Sequence, residues 1–118
     1  VLAAPAMAEN HHLVNDELLQ RTKADMILIN VSRGSLVDGK ALYQHMLTHP
    51  DFMAGLDVVE PEPLPRTDPL WNLPNLVLTP HVAGGFYLPK TQELFLEIAE
   101  KNLKAYFNQE PLSNVVNG

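Results

Sequence analysis

The sequence predicts an α/β fold in which a parallel sheet is followed by a long C-terminal helix. Short apolar runs alternate with amphipathic segments, which is typical of the strands and helices of a parallel α/β sheet. The runs are apolar at consecutive positions, as strands covered on both faces require. With 118 residues, 46% of them hydrophobic, the chain is long enough for one domain with its own core.

The first half is predicted to hold two strands and two helices. Residues 1–4 have the apolar character of a buried strand end, and a proline stops this run. Residues 15–22 form a short helix whose first two residues, Asn and Asp, are both good N-caps. Residues 26–30 form the next strand, and residues 38–49 a helix that begins with a capping aspartate. The apolar face of that helix comprises Ala41, Leu42, His45 and Met46.

The second half adds two strands and the long helix. Residues 53–59 form a short apolar strand. Residues 60–75 contain five prolines, which disfavour both helix and ladder strand and therefore predict a rigid loop. Residues 76–79 form a further strand, and two glycines then break the chain before a helix over residues 89–107. Its apolar stripe comprises Leu94, Phe95, Ile98, Ala99, Leu103, Tyr106 and Phe107.

Composition excludes several function classes. The 8 basic and 14 acidic residues give a net charge of −6, so the chain has no general attraction for nucleic acid or anionic membranes. Without cysteine it has no disulfide, thiol nucleophile or iron–sulfur cluster, which is compatible with a cytoplasmic location. No apolar run approaches the ~20 residues of a membrane span. Because Val1 stands inside an apolar run without an initiator Met, we expect a piece of a longer protein.

Charged side chains follow the predicted strands. Arg33, Asp57, Glu62 and His81 all lie just after a strand, and ligands of parallel α/β sheets bind beyond the carboxyl ends of the strands. A guanidinium matches a substrate carboxylate, and a histidine beside a carboxylate can give or take a proton near neutral pH. This set suits reduction of a 2-oxo acid. An ordinary surface pair between Arg33 and Glu62 is an equally open interpretation.

Other constellations carry weaker signals. His45 and His49 are spaced i, i+4 on the predicted helix, and His11 and His12 are adjacent, but the sequence fixes no third ligand, so we expect no metal site. Serines near the second strand lack the G-x-S-x-G pattern of a hydrolase. Trp71 is predicted to pin the proline-rich loop by packing, with stacking on a ligand as the weaker alternative.

Three ordered segments carry a family resemblance. INVSRGSLVDGKAL, AGLDVVEPEPLP and DPLWNLPNLVLTPHVAGG resemble successive signature blocks of the D-isomer-specific 2-hydroxyacid dehydrogenases. The first 19 residues and the terminal EPLSNVVNG resemble the flanking parts of that family. The resemblance implies a partial Rossmann-like, doubly wound parallel sheet. Residues 1–85 would be the C-terminal half of the dinucleotide-binding domain, and residues 86–118 a helix and tail returning to a substrate domain absent from this chain.

The resemblance also implies roles for individual residues. Arg33 would bind the carboxylate and carbonyl of the 2-oxo acid, His81 would be the acid and base, and Glu62 would be its partner. Substrate binding would therefore involve Arg33 and His81. The cofactor would be lined by Ala4, Pro5, Asn10, Val31, Ser32, Asp57, Ala83 and Gly84. The implied function is hydride transfer between a nicotinamide cofactor and a D-2-hydroxy acid, in a protein that forms homodimers.

The sequence departs from the family in what it lacks. None of its six glycines forms the G-x-G-x-x-G turn that holds a pyrophosphate, and the residue that distinguishes NAD from NADP is not in this chain. We therefore expect these 118 residues alone to be inactive and to self-associate through the long helix or a sheet edge. The alternative function is a non-catalytic NAD-sensing protein of the same fold, similar to a corepressor.

Overall fold

A three-stranded parallel sheet organises the first part of the molecule. The computed structural model describes residues 1–85 and 88–115, and the chain divides into two units, Val1–Ala83 and Gly84–Gly118. The strands are β1 (Ile27–Asn30), β2 (Met53–Leu56) and β3 (Leu76–Leu78), in that spatial order. Ile27 pairs with Met53, and Ala54 with Leu76, so the strands start in step. All three carboxyl ends consequently lie at one edge of the sheet.

The two helices of the first unit begin at the caps that the sequence predicts. In α1 (Asp16–Leu19) the Asn15 side chain accepts a hydrogen bond from the Leu18 amide. In α2 (Gly39–Thr48) Asp38 accepts from the amides of Lys40 and Ala41. Each cap satisfies amides that have no partner inside the helix, which fixes where the helix begins. The predicted α2 is confirmed to within one residue at each end, and α1 is shorter than predicted.

In the first unit the core lies on one face of the sheet, whereas the sequence predicts strands covered on both faces. Leu28, Ala54 and Leu56 are buried against α1 and α2. Ile27, Met53 and Val77 on the opposite face are 61%, 48% and 61% exposed. The physical reason is that the side chains from α1 and α2 cluster with only one side of the sheet. The core residues of these helices are Leu19, Leu42 and Met46.

The predicted strand at residues 1–4 is reduced to a single bridge. Leu2 pairs in parallel with Asn30, through bonds from the Leu2 amide to the Ile29 carbonyl (2.7 Å) and from the Val31 amide to the Leu2 carbonyl (3.3 Å). The partner of Leu2, Asn30, is the last residue of β1, so the pairing does not continue beyond it. The bridge still places the turn after Leu2 beside the end of β1.

The proline-rich loop contains one regular turn that the sequence did not predict. Residues Pro69–Asn72 form a short 3₁₀ helix, in which proline occupies the first turn and Asp68 accepts from the Leu70 amide. Trp71 is half exposed and donates from Nε1 to the Pro65 carbonyl at 2.9 Å. Trp71 thus pins the loop by a hydrogen bond rather than by burial, and the loop carries a fixed shape to the edge of the sheet.

His45 is a buried imidazole on the core face of α2. It stacks on His49 with ring centroids 4.0 Å apart and meets the Phe52 ring edge-on. Its Nε2 atom has no hydrogen-bond partner among the described residues. Burial, with a smaller contribution from His49, lowers the pKa of His45 below its ordinary value.

The fold should therefore lose stability in mild acid. The unfolded chain protonates His45 below about pH 6.5, whereas the folded chain resists the charge, so stability is full above that pH and declines below it. His45→Leu should flatten the free energy of unfolding between pH 7.5 and 5.5, as urea titration can measure. His11→Gln, at an exposed histidine, is the control. A pH dependence that survives in His45→Leu would contradict this assignment.

The second unit is dominated by α3 (Pro89–Phe107), at the bounds that the sequence predicts. Its apolar stripe is exposed, with Phe95, Ile98 and Phe107 at 55%, 41% and 75%. Asn102 holds the following tail by accepting from the amide of Ser113 and donating to its carbonyl. None of the helices described here combines the length and apolarity that crossing a membrane demands. The apolar stripe of α3 is thus exposed and not part of a core.

Candidate active site

The end of β1 is held by a buried asparagine. Asn30 donates from Nδ2 to the Arg33 carbonyl and accepts at Oδ1 from the amide and hydroxyl of Ser32, all within 3.0 Å. Asn30 is fully buried and Ser32 nearly so, while Arg33 is exposed. Because the asparagine satisfies the turn internally, the backbone at Arg33 has one defined position. The Arg33 guanidinium donates to the Ser32 carbonyl at 2.7 Å.

Asp57, directly after β2, organises the segment that follows β3. Its carboxylate accepts from the Thr79 hydroxyl (2.5 Å) and from the amides of Val82 and Ala83 (both 2.9 Å). Burial opposes ionisation of Asp57, but these three bonds and the nearby His81 together hold the pKa of Asp57 below its ordinary value. A carboxylate at neutral pH therefore fixes residues 79–83 in place.

His81 and Glu62 meet at this edge. Nδ1 of His81 lies 2.8 Å from Oε1 of Glu62, and both side chains are a little over two-fifths exposed. His81 has a φ of 54°, a left-handed conformation that non-glycine residues seldom adopt, and its amide bonds to the Asp57 carbonyl at 2.8 Å. Such conformations persist where the surroundings impose them, often at functional sites. The expected contact between Glu62 and His81 is thus present in the structure.

Gly34 lets the end of β1 approach the loop after β2. A Cβ atom on Gly34 would lie 2.0 Å from the Val59 carbonyl oxygen and 2.7 Å from the Glu60 amide nitrogen. Only glycine permits this contact, which joins the segment of Arg33 to the segment of Glu62. Arg33, Glu62 and His81 consequently follow three neighbouring strands. With strands about 4.8 Å apart, the backbones after β1 and β3 are separated by about 10 Å.

Gly34→Ala should therefore destabilise the protein by at least about 2 kcal/mol, since a methyl group would overlap main-chain atoms that cannot rotate away. Gly39→Ala is the matched control. Its added Cβ would meet Leu70 at an ordinary 3.6 Å, at the first residue of α2, so this variant should keep about the wild-type stability. Urea unfolding measures both. Equal stability of the two variants would show that the loop contact at Gly34 is loose.

A cleft of about 460 Å³ opens beside the His81–Glu62 pair. Its walls include Val59, Leu64, Trp71 and Leu78, and the polar groups of Asp57 and Thr79 face it. The volume lies in the range of about 300–1,000 Å³ that small-molecule sites occupy. An apolar cleft with one hydrogen-bonded histidine–carboxylate pair is suited to proton transfer with a small bound molecule.

The residues predicted to line a cofactor fall into two groups. Ala4, Pro5, Val31 and Ala83 are exposed in the first unit, and Gly84 is exposed at the start of the second with a φ of 79°. Asn10, Ser32 and Asp57 instead bond to the protein itself. Asn10 bonds the Pro5 carbonyl and the Met7 amide, both at 2.8 Å. Their side chains shape the turns that the exposed residues occupy.

Two contributors were missed by the sequence reasoning. Neither Asn30 nor Thr79 is among the site residues that the sequence predicts. A polar residue that closes an apolar run, as Asn30 does, is a signal of a turn held from within. The structure also brings His11 and His12 together with Glu60, where the sequence indicated no third ligand.

Comparison with known proteins identifies the family. The family model for the D-isomer specific 2-hydroxyacid dehydrogenase NAD binding domain matches residues 1–83. A glyoxylate reductase from Korarchaeum cryptofilum is 41% identical over 116 residues, covering 98% of this chain and 34% of that protein. Glyoxylate/hydroxypyruvate reductase B from Pectobacterium atrosepticum is 38% identical, with 98% and 36% covered. The chain thus spans about a third of the length of these curated relatives.

A solved structure supports the same conclusion. The D-isomer specific 2-hydroxyacid dehydrogenase from Xanthobacter autotrophicus Py2, in complex with NADPH and MES, superposes with a TM-score of 0.77 at 34% identity. The match covers 98% of this chain and 46% of that one. It includes the parallel strands and the helices described above, as expected for part of a Rossmann-like domain. The chain belongs to the D-isomer-specific 2-hydroxyacid dehydrogenase family, and its residues 1–83 match the NAD-binding domain of that family.

Proposed function

We propose that the intact protein is an oxidoreductase that interconverts a small 2-oxo acid and a D-2-hydroxy acid with a nicotinamide cofactor. The observation that carries the proposal is the 2.8 Å contact between His81 and Glu62 beside an apolar cleft. It lies where parallel α/β sheets bind ligands. The names of the relatives point to glyoxylate or hydroxypyruvate as the substrate.

His81 is the proton donor in reduction and the acceptor in oxidation. Its Nδ1 atom faces Glu62, which leaves Nε2 as the ring nitrogen for the substrate oxygen. The Glu62 carboxylate orients the ring for this transfer. The cofactor, when bound, supplies the hydride that the carbonyl carbon receives. His81 gives the balancing proton to the carbonyl oxygen.

Arg33 binds the substrate carboxylate in this proposal. Its planar guanidinium offers two parallel N–H groups to a carboxylate, which fixes the direction of the neighbouring carbonyl. The separation of about 10 Å between the strand ends that carry Arg33 and His81 leaves room for a small acid between two extended side chains. The guanidinium has to swing from its present bond with the Ser32 carbonyl to reach that acid.

The same edge has features that fit a nicotinamide. A carboxylate offers about four acceptor positions, and Asp57 uses three of them, so one stays available for a carboxamide N–H. Exposed small residues, Ala4 and Pro5 among them, let a flat ring approach the main chain. Asn10, Val31, Ser32, Ala83 and Gly84 complete the proposed lining. The proposal leaves NAD and NADP as alternatives, and a homodimer in the cytoplasm remains a prediction.

The two segments predicted from the sequence, residues 1–85 and 86–118, have separate roles in this scheme. Residues 1–85 supply the C-terminal half of a dinucleotide-binding domain together with the acid–base pair. Residues 86–118, which contain the exposed apolar stripe of α3, return to a substrate domain. An apolar stripe of this size is typical of a surface that another domain covers.

Steady-state kinetics of the intact protein test the proposal. Glyoxylate, hydroxypyruvate and pyruvate are offered with NADH and then with NADPH, and oxidation of the dinucleotide is followed by absorbance. We expect turnover of at least one of these acids, and no turnover of analogues that lack the 2-oxo group. Tight dinucleotide binding without turnover of any acid would favour the NAD-sensing alternative and overturn the enzyme proposal.

A further inference from the structure

The side chains of the adjacent residues His11 and His12 lie on the same side of a turn, which is unusual for neighbours in a chain. The rings of His11 and His12 stack with centroids 3.9 Å apart and planes 24° from parallel. Neighbouring side chains in extended backbone point in opposite directions. Here His12 has a φ of 50°, a left-handed conformation that turns its ring back onto that of His11. The backbone thus brings two imidazoles to one side of the turn.

The turn is anchored to the rest of the first unit. The His12 amide donates to the Ser35 carbonyl at 2.7 Å, and the Leu13 amide donates to the Asn10 carbonyl at 3.1 Å. Left-handed backbone at a non-glycine residue is retained where surrounding contacts impose it, and it occurs preferentially at functional sites. The contacts therefore fix the backbone of the turn that carries both imidazoles.

Glu60 supplies a third ligand atom to this pair. Its Oε2 atom lies 3.3 Å from His11 Nε2 and 3.2 Å from His12 Nε2, and the three atoms all lie within 4.8 Å of one another. A tetrahedral ion with bonds of about 2.0–2.1 Å holds its ligand atoms about 3.3 Å apart. The two nitrogen–oxygen distances already match two edges of that tetrahedron.

A second carboxylate stands behind His12. Oδ2 of Asp38 lies 3.8 Å from His12 Nδ1, while Oδ1 of the same residue caps α2. Metal-binding histidines almost always have a carboxylate or carbonyl at the nitrogen that does not face the ion, because this orients the ring. His12, Asp38 and Glu60 also line an open groove of about 850 Å³, through which an ion can enter.

We propose that His11, His12 and Glu60 form a binding site for one divalent transition-metal ion of the Zn²⁺ class. Two imidazole nitrogens and one carboxylate oxygen suit such ions, and solvent would complete the fourth position. Mg²⁺ and Ca²⁺ prefer sets of oxygen ligands and are poorly matched. Glu60 is two residues before Glu62, so a bound ion would tether the start of the loop that carries Glu62.

Titration of the intact protein with Zn²⁺ alone, and with Co²⁺ as a spectroscopic probe, tests the site. The wild type should bind one ion per chain by calorimetry, and Co²⁺ should develop the intense visible absorption of four-coordinate geometry. His11→Gln and Glu60→Gln should each weaken binding by at least about tenfold, because a ligand is removed. Asp38→Asn keeps a good cap for α2 while removing the charge behind His12, so it should weaken binding about tenfold.

Controls separate this site from the other histidines. His49→Gln and His81→Gln should bind Zn²⁺ as the wild type does, although His81→Gln loses the proposed proton donor. Thermal unfolding without metal checks that each variant is folded. Added Zn²⁺ should raise the unfolding midpoint of the wild type and of variants that keep all three ligands, and should not raise it in His11→Gln or Glu60→Gln. His11→Gln is the decisive variant, because His11 is exposed and its replacement should leave the fold intact. Absent Zn²⁺ binding, or binding unchanged in both His11→Gln and Glu60→Gln, would overturn the proposal.

Discussion

Replacing His81 with Gln should lower kcat of the intact protein by about 10²–10⁴-fold while leaving KM within a few-fold of the wild type. A positioned general acid contributes about that factor, and the proton moves only in the transition state. Gln can still form one hydrogen bond to Glu62 in place of the 2.8 Å contact, but it cannot donate a proton to an alkoxide. Steady-state kinetics at saturating dinucleotide measure both constants.

His49→Gln is the control for this substitution. His49 is half-buried near the end of α2, where its Nδ1 contacts the His45 carbonyl, away from the cleft. Its replacement should leave kcat unchanged. A His81→Gln variant that retains more than a tenth of wild-type kcat would remove His81 from the proton-transfer step.

Replacing Arg33 with Ala should lower kcat/KM by about 10- to 10²-fold, with both constants affected. A hydrogen bond to a charged group is worth about 1.5–3 kcal/mol, and each 1.4 kcal/mol is a factor of ten. The guanidinium contacts the carboxylate in the ground state and in the transition state alike, so KM should rise as kcat falls. Lys at this position should recover only part of the loss, because an ammonium cannot bind a carboxylate through a planar fork.

Arg21→Ala is the matched control. Arg21 is exposed and pairs with Glu17 at 2.6 Å, a surface contact of α1. Such pairs contribute little, so this variant should keep wild-type kinetics. Equal losses for Arg21→Ala and Arg33→Ala would show a general effect of charge and would contradict the carboxylate-binding role.

Much of the fold was predictable because local chemistry decides it. The caps at Asn15 and Asp38 and the apolar periodicity of α3 determine helix bounds within a few residues. β1 ends at Asn30 as predicted, whereas β2 and β3 end earlier than predicted. Val58 and Val59 continue the apolar character of the run without belonging to β2. The placement of α1 and α2 decides which face of the sheet is covered. An apolar run in the sequence does not predict that placement.

The site was predictable to the extent that strand ends gather its residues. Parallel topology places Arg33, Glu62 and His81 at one edge of the sheet. Their proposed roles come from the resemblance of the surrounding motifs to those of the family. The function of Asp57 as the anchor of residues 79–83 depends on hydrogen bonds across 22 to 26 positions, which spacing does not reveal. The His11–His12–Glu60 cluster depends on the φ of one residue and on a partner 48 positions away.

The acid–base pair is the central claim, and the steady-state kinetics of Glu62→Gln test it most directly. Glu62 holds the His81 ring through the 2.8 Å contact at Nδ1. Gln keeps the length of the side chain but removes the carboxylate charge beside the ring, so kcat for reduction should fall about tenfold or more while KM stays within a few-fold of the wild type. Glu60→Gln, assayed in metal-free buffer, should keep both wild-type constants. A wild-type kcat in Glu62→Gln would contradict the account.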